Sequence, residues 1–190
     1  NQIINPGTPI INTALQGGFN YRGFVEAGYL NGLGDNRASF LEFTTTQGFK
    51  KADWFYMGIG AGVDVVFANY GVAQSQINGQ STTQTGVMIP LFTDFRFNIG
   101  SQSATAAFVD LRLGASFLVG SDRLQVGDSY INRSECFYFK PSIGMRIPVD
   151  KNNTNHAFSV AASYMLVNTG YWNYDTINLS ALGVTIGYEW

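Results

Sequence analysis

The sequence predicts an all-β protein: an eight-stranded antiparallel up-and-down transmembrane β-barrel, apolar outside, with a polar and charged lumen. Three observations carry this. Apolar and polar residues alternate with a period of two over long stretches, which is the strand signature. Charged residues make up only 13% of the 190 residues, about half of the roughly 25% of a soluble domain. Aromatics make up 15%, and the 22 glycines exceed the usual share of about 7%.

The alternation places strands at 18–30, 38–49, 54–67, 87–99, 105–119, 135–147, 156–167 and 179–190. Each is longer than the ~5–6 residues common in globular sheets. The connections alternate in length. Residues 50–53 (Lys50, Lys51, Ala52, Asp53), 100–104 and 148–155 read as short turns, and 31–37, 68–86, 120–134 and 168–178 as longer polar loops. Short turns at one end and long loops at the other suit an up-and-down barrel. Segment 1–17, with Pro6 and Pro9, reads as a leader or linker ahead of a single domain at 18–190.

Composition excludes several classes. A net charge of −2 and a pI near 5.2 argue against nucleic-acid binding. A single cysteine, Cys136, excludes an intramolecular disulfide framework or a cysteine-based zinc site, and a single histidine, His156, excludes a multi-histidine metal site. No cofactor is expected. No apolar run is long enough for a transmembrane helix. No signal peptide is read at the N-terminus, which suits a cytosolic chain or a mature or trimmed one.

The distribution of charge between the two strand faces decides the architecture. In 105–119 one parity reads Ala107, Val109, Leu111, Leu113, Ala115, Phe117, and the other Phe108, Asp110, Arg112, Gly114, Ser116. In 87–99, Asp94 and Arg96 share a parity opposite Leu91, Phe95 and Phe97. The polar face collects Arg22, Glu26, Glu42, Asp64, Asp94, Arg96, Asp110, Arg112, Lys140, Arg146 and Glu189, six acids against five bases. The other face reads as free of charge. A soluble barrel would turn bulky apolar groups inward and need an outside dense in charge, which this chain lacks. The reverse fits: small and paired polar residues fill a narrow tube, and Leu, Val, Ile and Phe face lipid. The near-cancelling charges are then a structural lumenal ion network, with Asp110 opposite Arg96. Outward aromatics cluster near strand ends, as in the girdles of a membrane barrel.

The stretches Gly23-Phe-Val-Glu-Ala-Gly-Tyr29, Ile89-Pro-Leu-Phe-Thr-Asp-Phe-Arg96, Phe108-Val-Asp-Leu-Arg-Leu-Gly114 and Phe139-Lys-Pro-Ser-Ile-Gly-Met-Arg146 resemble the small OmpA/OmpX-type outer-membrane β-barrel proteins of Gram-negative bacteria. The ending Val184-Thr-Ile-Gly-Tyr-Glu-Trp190 is similar to the C-terminal assembly signal of such barrels, with Tyr188 and Trp190 as its aromatics. The resemblance implies outer-membrane localisation, periplasmic termini, outer-membrane lipid around the barrel and the barrel-assembly machinery as a partner during biogenesis. Pro90 and Pro141 fall inside strands of a barrel without free edges, so bulges are expected there.

No catalytic constellation is read. Asp94/Arg96 and Asp110/Arg112 could form acid–base pairs but read as lumenal ion pairs. His156 reads as a solvent-exposed turn residue and Cys136 as a small filler. Gly58, Gly60 and Gly62 lack the helix of a phosphate-binding loop and read as room for bulky lumenal neighbours. Tyr171, Trp172 and Tyr174 form a candidate recognition loop for an extracellular glycan or protein ligand. The expected role is non-catalytic, structural or surface-interacting through the long loops. A small-solute pore and a soluble ligand-binding barrel are the alternatives.

Overall fold

A computed structural model of the chain describes residues 19–34, 38–52, 54–68, 76–77, 80–83, 85–100, 105–126, 129–132, 135–150, 155–169 and 177–190. Eight long strands form the barrel: β1 (Asn20–Leu33), β2 (Ala38–Ala52), β3 (Phe55–Ala68), β6 (Thr85–Ile99), β7 (Ala106–Val119), β10 (Glu135–Pro148), β11 (Ala157–Thr169) and β12 (Asn178–Glu189). Each pairs antiparallel with its neighbours in the chain, and β1 pairs with β12 to close the tube. Beyond the last strand, Gly23 N–H donates to Trp190 O and Trp190 N–H donates to Gly23 O, both at 3.0 Å. The seam is therefore held to the final residue, and no strand edge is left open among the barrel strands.

Side chains alternate across the wall as the sequence pattern requires. On β1, Phe24, Glu26, Gly28 and Leu30 are buried, while Val25 and Tyr29 are exposed. The outer wall presents Ile59, Ile143 and Val184 at 71%, 63% and 57% exposure. These are branched aliphatics, so the outward face of the wall is apolar.

Four shorter strands lie in two of the long loops: β4 (Gln76–Ile77), β5 (Gln80–Thr83), β8 (Arg123–Val126) and β9 (Ser129–Asn132). They form one sheet in the order β4-β5-β8-β9, joined by parallel pairing of Thr82 with Arg123 and Thr83 with Leu124. Segments 68–86 and 120–134, expected to be polar loops, thus carry ordered β-structure.

Other expectations also change. The connection expected at 31–37 is short, because Asn31, Gly32 and Leu33 continue the ladder against Leu182, Ala181 and Ser180. The bulges expected at Pro90 and Pro141 do not occur. Pro90 stays opposite Ser116 and Pro141 opposite Leu111. On the other side of each proline the ladder skips and resumes in the same register, from Ala61↔Leu91 to Asp64↔Met88 and from Phe139↔Leu166 to Ser142↔Ser163. The missing N–H is absorbed as a short gap in pairing instead of an inserted residue. Among the described barrel pairs the register shifts between Lys50 and Ala52. The outer face is not wholly free of charge either: Glu135 shares the parity of Phe137 and is exposed. It is the first residue of β10, at a rim where a carboxylate meets water.

Candidate functional site: the lumen and its capped mouth

The inward faces of the barrel strands build two unlike layers. Toward the short turns the interior is charged. Toward the long loops it is apolar.

In the charged layer, adjacency on β6 and β7 sets the first pairs. Arg96 lies directly across from Asp110, and Asp94 across from Arg112. Side chains opposite one another on an antiparallel pair stand close enough for salt bridges. Arg96 Nη2 lies 3.2 Å from Asp110 Oδ2 and Arg112 Nε 3.4 Å from Asp94 Oδ2. Both guanidinium groups then span the tube to Glu26 on β1. Arg96 reaches Glu26 Oε1 at 2.8 Å, and Arg112 meets Glu26 Oε2. Arg112 also donates to Thr44 Oγ1 at 3.2 Å. Lumenal rings close over these cations. The Arg96 guanidinium sits 4.1 Å from the Phe24 ring centre and 4.5 Å from that of Phe108, and Arg112 sits 5.0 Å from that of Phe92. Each arginine thus meets both carboxylates and aromatic rings.

A second group lies on β2, β10, β11 and β12. Lys140 Nζ pairs with Glu42 and donates to Thr185 Oγ1 at 3.2 Å. Ser142, Ser163 and Thr185 continue the chain at 2.8 Å and 2.9 Å. A Cβ on Gly28 would stand 2.7 Å from Glu42 Oε1, so this glycine makes room for the carboxylate. Asp64 is fully buried opposite Glu42, and neither of its carboxyl oxygens finds a hydrogen-bond partner among the described residues. A third group is at the turn-side mouth. Arg146 Nε lies 2.6 Å from Glu189 Oε2, and Arg22 lies 3.4 Å from Glu189 and 2.5 Å from Asn155 Oδ1.

The sequence reading missed one member. Lys50 is buried and shares the inward parity of Glu42 and Thr44. Its pairing with Tyr56 on β3 shows that the strand continues into the segment where a turn is expected. Counting Lys50, six acids face six bases. The parity itself was the available signal, obscured by the adjacent Lys51 and Ala52.

The expectation of a polar lumen fails in the loop-side layer. There Leu30, Phe40, Val66, Met88, Leu118, Cys136, Met165 and Val167 are buried together, and Leu124 and Val126 of β8 and Ile131 of β9 pack into the same cluster. A Cβ on Gly86 would meet both Leu124 Cδ1 and Leu118 Cδ1, at 3.0 and 3.2 Å. The loop sheet therefore fits directly onto the inward surface of β6 and β7 and caps the tube.

Gly58 and Gly60 leave space that the Tyr56 hydroxyl and the Phe92 ring occupy. Cys136 is buried in the apolar cluster. His156 is not free in solvent: it is half-buried, and its Nδ1 lies 2.9 Å from the Tyr188 hydroxyl. Tyr188 in turn stacks near Trp190, with ring centres 6.4 Å apart. Tyr171, Trp172 and Tyr174 lie outside the described residues, as does segment 1–17.

No protein-family model matches the chain, and no curated protein sequence does. Among solved structures it is similar to the crystal structure of Neisserial surface protein A (NspA), at 12% sequence identity and a TM-score of 0.59, over 90% of this chain and 97% of that one. The chain has the fold of the small OmpA/OmpX-type barrels. The N-terminal β-barrel domain of Pseudomonas aeruginosa OprF gives 13% identity and a TM-score of 0.47, over 89% of this chain and 97% of that one. In this chain the tube holds ion pairs on the turn side and, on the loop side, a hydrophobic cluster that residues of the loop sheet join.

Proposed function

We propose that this chain is a non-catalytic outer-membrane barrel with a structural or surface-interaction role, its long loops outside and its termini periplasmic. The observation that carries the reading is the inverted packing. Charged residues are buried in the tube, while Ile59, Leu182, Val184 and Ile186 stand exposed on its wall. A soluble ligand-binding barrel would hold such an apolar wall in water, so lipid is the surround the wall suits.

A solute pore needs a continuous path, and side chains of eight strands already fill the interior of a tube this narrow. The ion-paired Arg96 and Arg112, set against lumenal rings, and the loop sheet support a closed barrel. Asp94, Arg96, Asp110 and Arg112 are engaged with one another, which supports a packing role over acid–base chemistry. The partners that follow are outer-membrane lipid, the barrel-assembly machinery acting on the ending with Tyr188 and Trp190, and an extracellular glycan or protein at the loops.

The test is conductance in planar bilayers together with the need for detergent. The wild type should give no steady channel and should stay monodisperse only with detergent or lipid. A reproducible open channel would favour the pore, and a monodisperse chain in plain buffer would sink the membrane assignment.

A further inference from the structure

One set of lumenal oxygens stays unmatched where the charged layer meets the apolar one. Asp64 on β3 is wholly buried, and neither of its carboxyl oxygens has a hydrogen-bond partner among the described residues. Its cross-strand partner on β2 is Glu42, whose Oε2 also has none. On its other side Asp64 is paired with Met88 of the apolar cluster.

A third side chain comes from the opposite wall. Tyr138 on β10 is wholly buried, and its hydroxyl is likewise without a partner among the described residues. Lys140, two residues on along the same face of β10, spans the tube to Glu42. Side chains of this face therefore reach the Glu42–Asp64 pair. The charges that act most on the Tyr138 hydroxyl are those of Glu42 and Asp64.

Carboxylate oxygens shut away from water without donors or a counter-charge are very costly. Lys140 answers for one of the two acids, through Glu42 Oε1. The arginines are engaged elsewhere: Arg96 and Arg112 with Glu26 and Asp110, Arg22 and Arg146 with Glu189. Lys50 stands eight residues beyond Glu42 on β2, roughly 25 Å along the strand. Two acids against one base leave one negative charge. The free donors are all oxygens, the set that hard cations prefer.

We propose that Asp64, Glu42 Oε2 and the Tyr138 hydroxyl form an internal site for one monovalent alkali cation. Asp64 supplies both oxygens, Glu42 the one that Lys140 leaves over, and Tyr138 a neutral ligand from across the tube. The single missing charge selects a monovalent ion over a divalent one. The site is inside the barrel, so the inference does not depend on what surrounds the wall.

The barrel is refolded in non-ionic detergent at constant ionic strength, with sodium chloride replacing choline chloride, whose cation is too bulky for such a site. Urea unfolding is followed by tryptophan fluorescence. Each tenfold rise in free sodium above its Kd should lower the unfolding constant about tenfold, the slope for one bound ion. Asp64→Asn removes the charge with little change of shape and should abolish the slope. Tyr138→Phe removes one oxygen and should move the curve to severalfold higher sodium. Ser142→Ala, in the neighbouring hydroxyl chain, should leave it unchanged. Should Asp64→Asn not fold, Tyr138→Phe carries the decision.

A wild type equally stable in both salts overturns the proposal. So does a sodium dependence that Asp64→Asn or Tyr138→Phe retains in full, which would place the ion elsewhere. Calcium acting at far lower concentration than sodium overturns the assignment to a monovalent ion.

Discussion

The two layers of the lumen solve one packing problem in opposite ways. Both are bounded by the same strands, and both are buried. The turn-side layer is held by groups that must be matched one by one: Glu26 serves Arg96 and Arg112 together, and Glu189 serves Arg22 and Arg146. The loop-side layer is held by Leu, Phe, Val and Met, which need only volume and shape, and borrows its last members from the loops. The ionic layer is specific and brittle, because removing one partner strands another. The apolar layer is forgiving in identity, and its upper members come from the loop sheet and not from the barrel wall.

The largest effect should come from the ionic layer. Arg112→Met removes the cation shared by Glu26, Asp94 and Asp110 and should cost about 3–5 kcal/mol, read as a fall in the urea midpoint of the barrel in vesicles. Arg96→Met combined with Asp110→Asn should cost less than the sum of the single changes. Additive costs would show that the facing pair is not coupled and that the layer is mere filler.

Next comes the wall. Leu111 is half-exposed and paired with Phe95 and Pro141 on the outer face. Leu111→Arg should cost ~2–4 kcal/mol in a bilayer, whereas Ser116→Arg, turned inward, is limited by volume. A Leu111→Arg chain that folds in lipid as well as wild type would mean the faces are exchanged.

The apolar layer should yield less. Leu124→Ala should move global unfolding by less than the about 2–5 kcal/mol of the same change in a cooperative core, if the loop sheet, which is separate from the barrel sheet, opens as its own unit. Its readout is the sole cysteine. Cys136 is buried in the same cluster as Leu124, so maleimide labelling in the folded barrel should accelerate in Leu124→Ala. Unchanged labelling with a full loss of stability would make cap and barrel one unit. The smallest effect belongs to the rim: Glu135→Gln, at an exposed site, should stay within about 0.5 kcal/mol of wild type.

Much of this was readable in the residues because a strand's two faces are a local property. Asp94 and Arg96 share a side of β6 whatever else the chain does, and Asp110 and Arg112 do the same on β7. Placing them across from one another required only that neighbouring strands pair. The division of the lumen along its axis was harder to read. Leu30, Phe40, Met88 and Leu118 share a parity with the charges, so a tally by face merges the two layers. Leu124, Val126 and Ile131 sit in segments whose polar neighbours mask them, and their burial depends on the loops folding back over the mouth. Lys50 was lost for a related reason: a lysine pair before Asp53 looks like a turn until the strand is traced through it.

The parallel contact of β5 with β8 has a consequence for how this surface can vary. Thr82 and Thr83 belong to the connection between β3 and β6, while Arg123 and Leu124 belong to that between β7 and β10. Their shared register makes the two connections one interlocked unit instead of two independent appendages. Lengthening or replacing one alone would slide its partner out of alignment and pull Leu124 off Gly86. Grafting onto this scaffold would have to exchange the pair together, and surface variation would accumulate outside the interlocked segment.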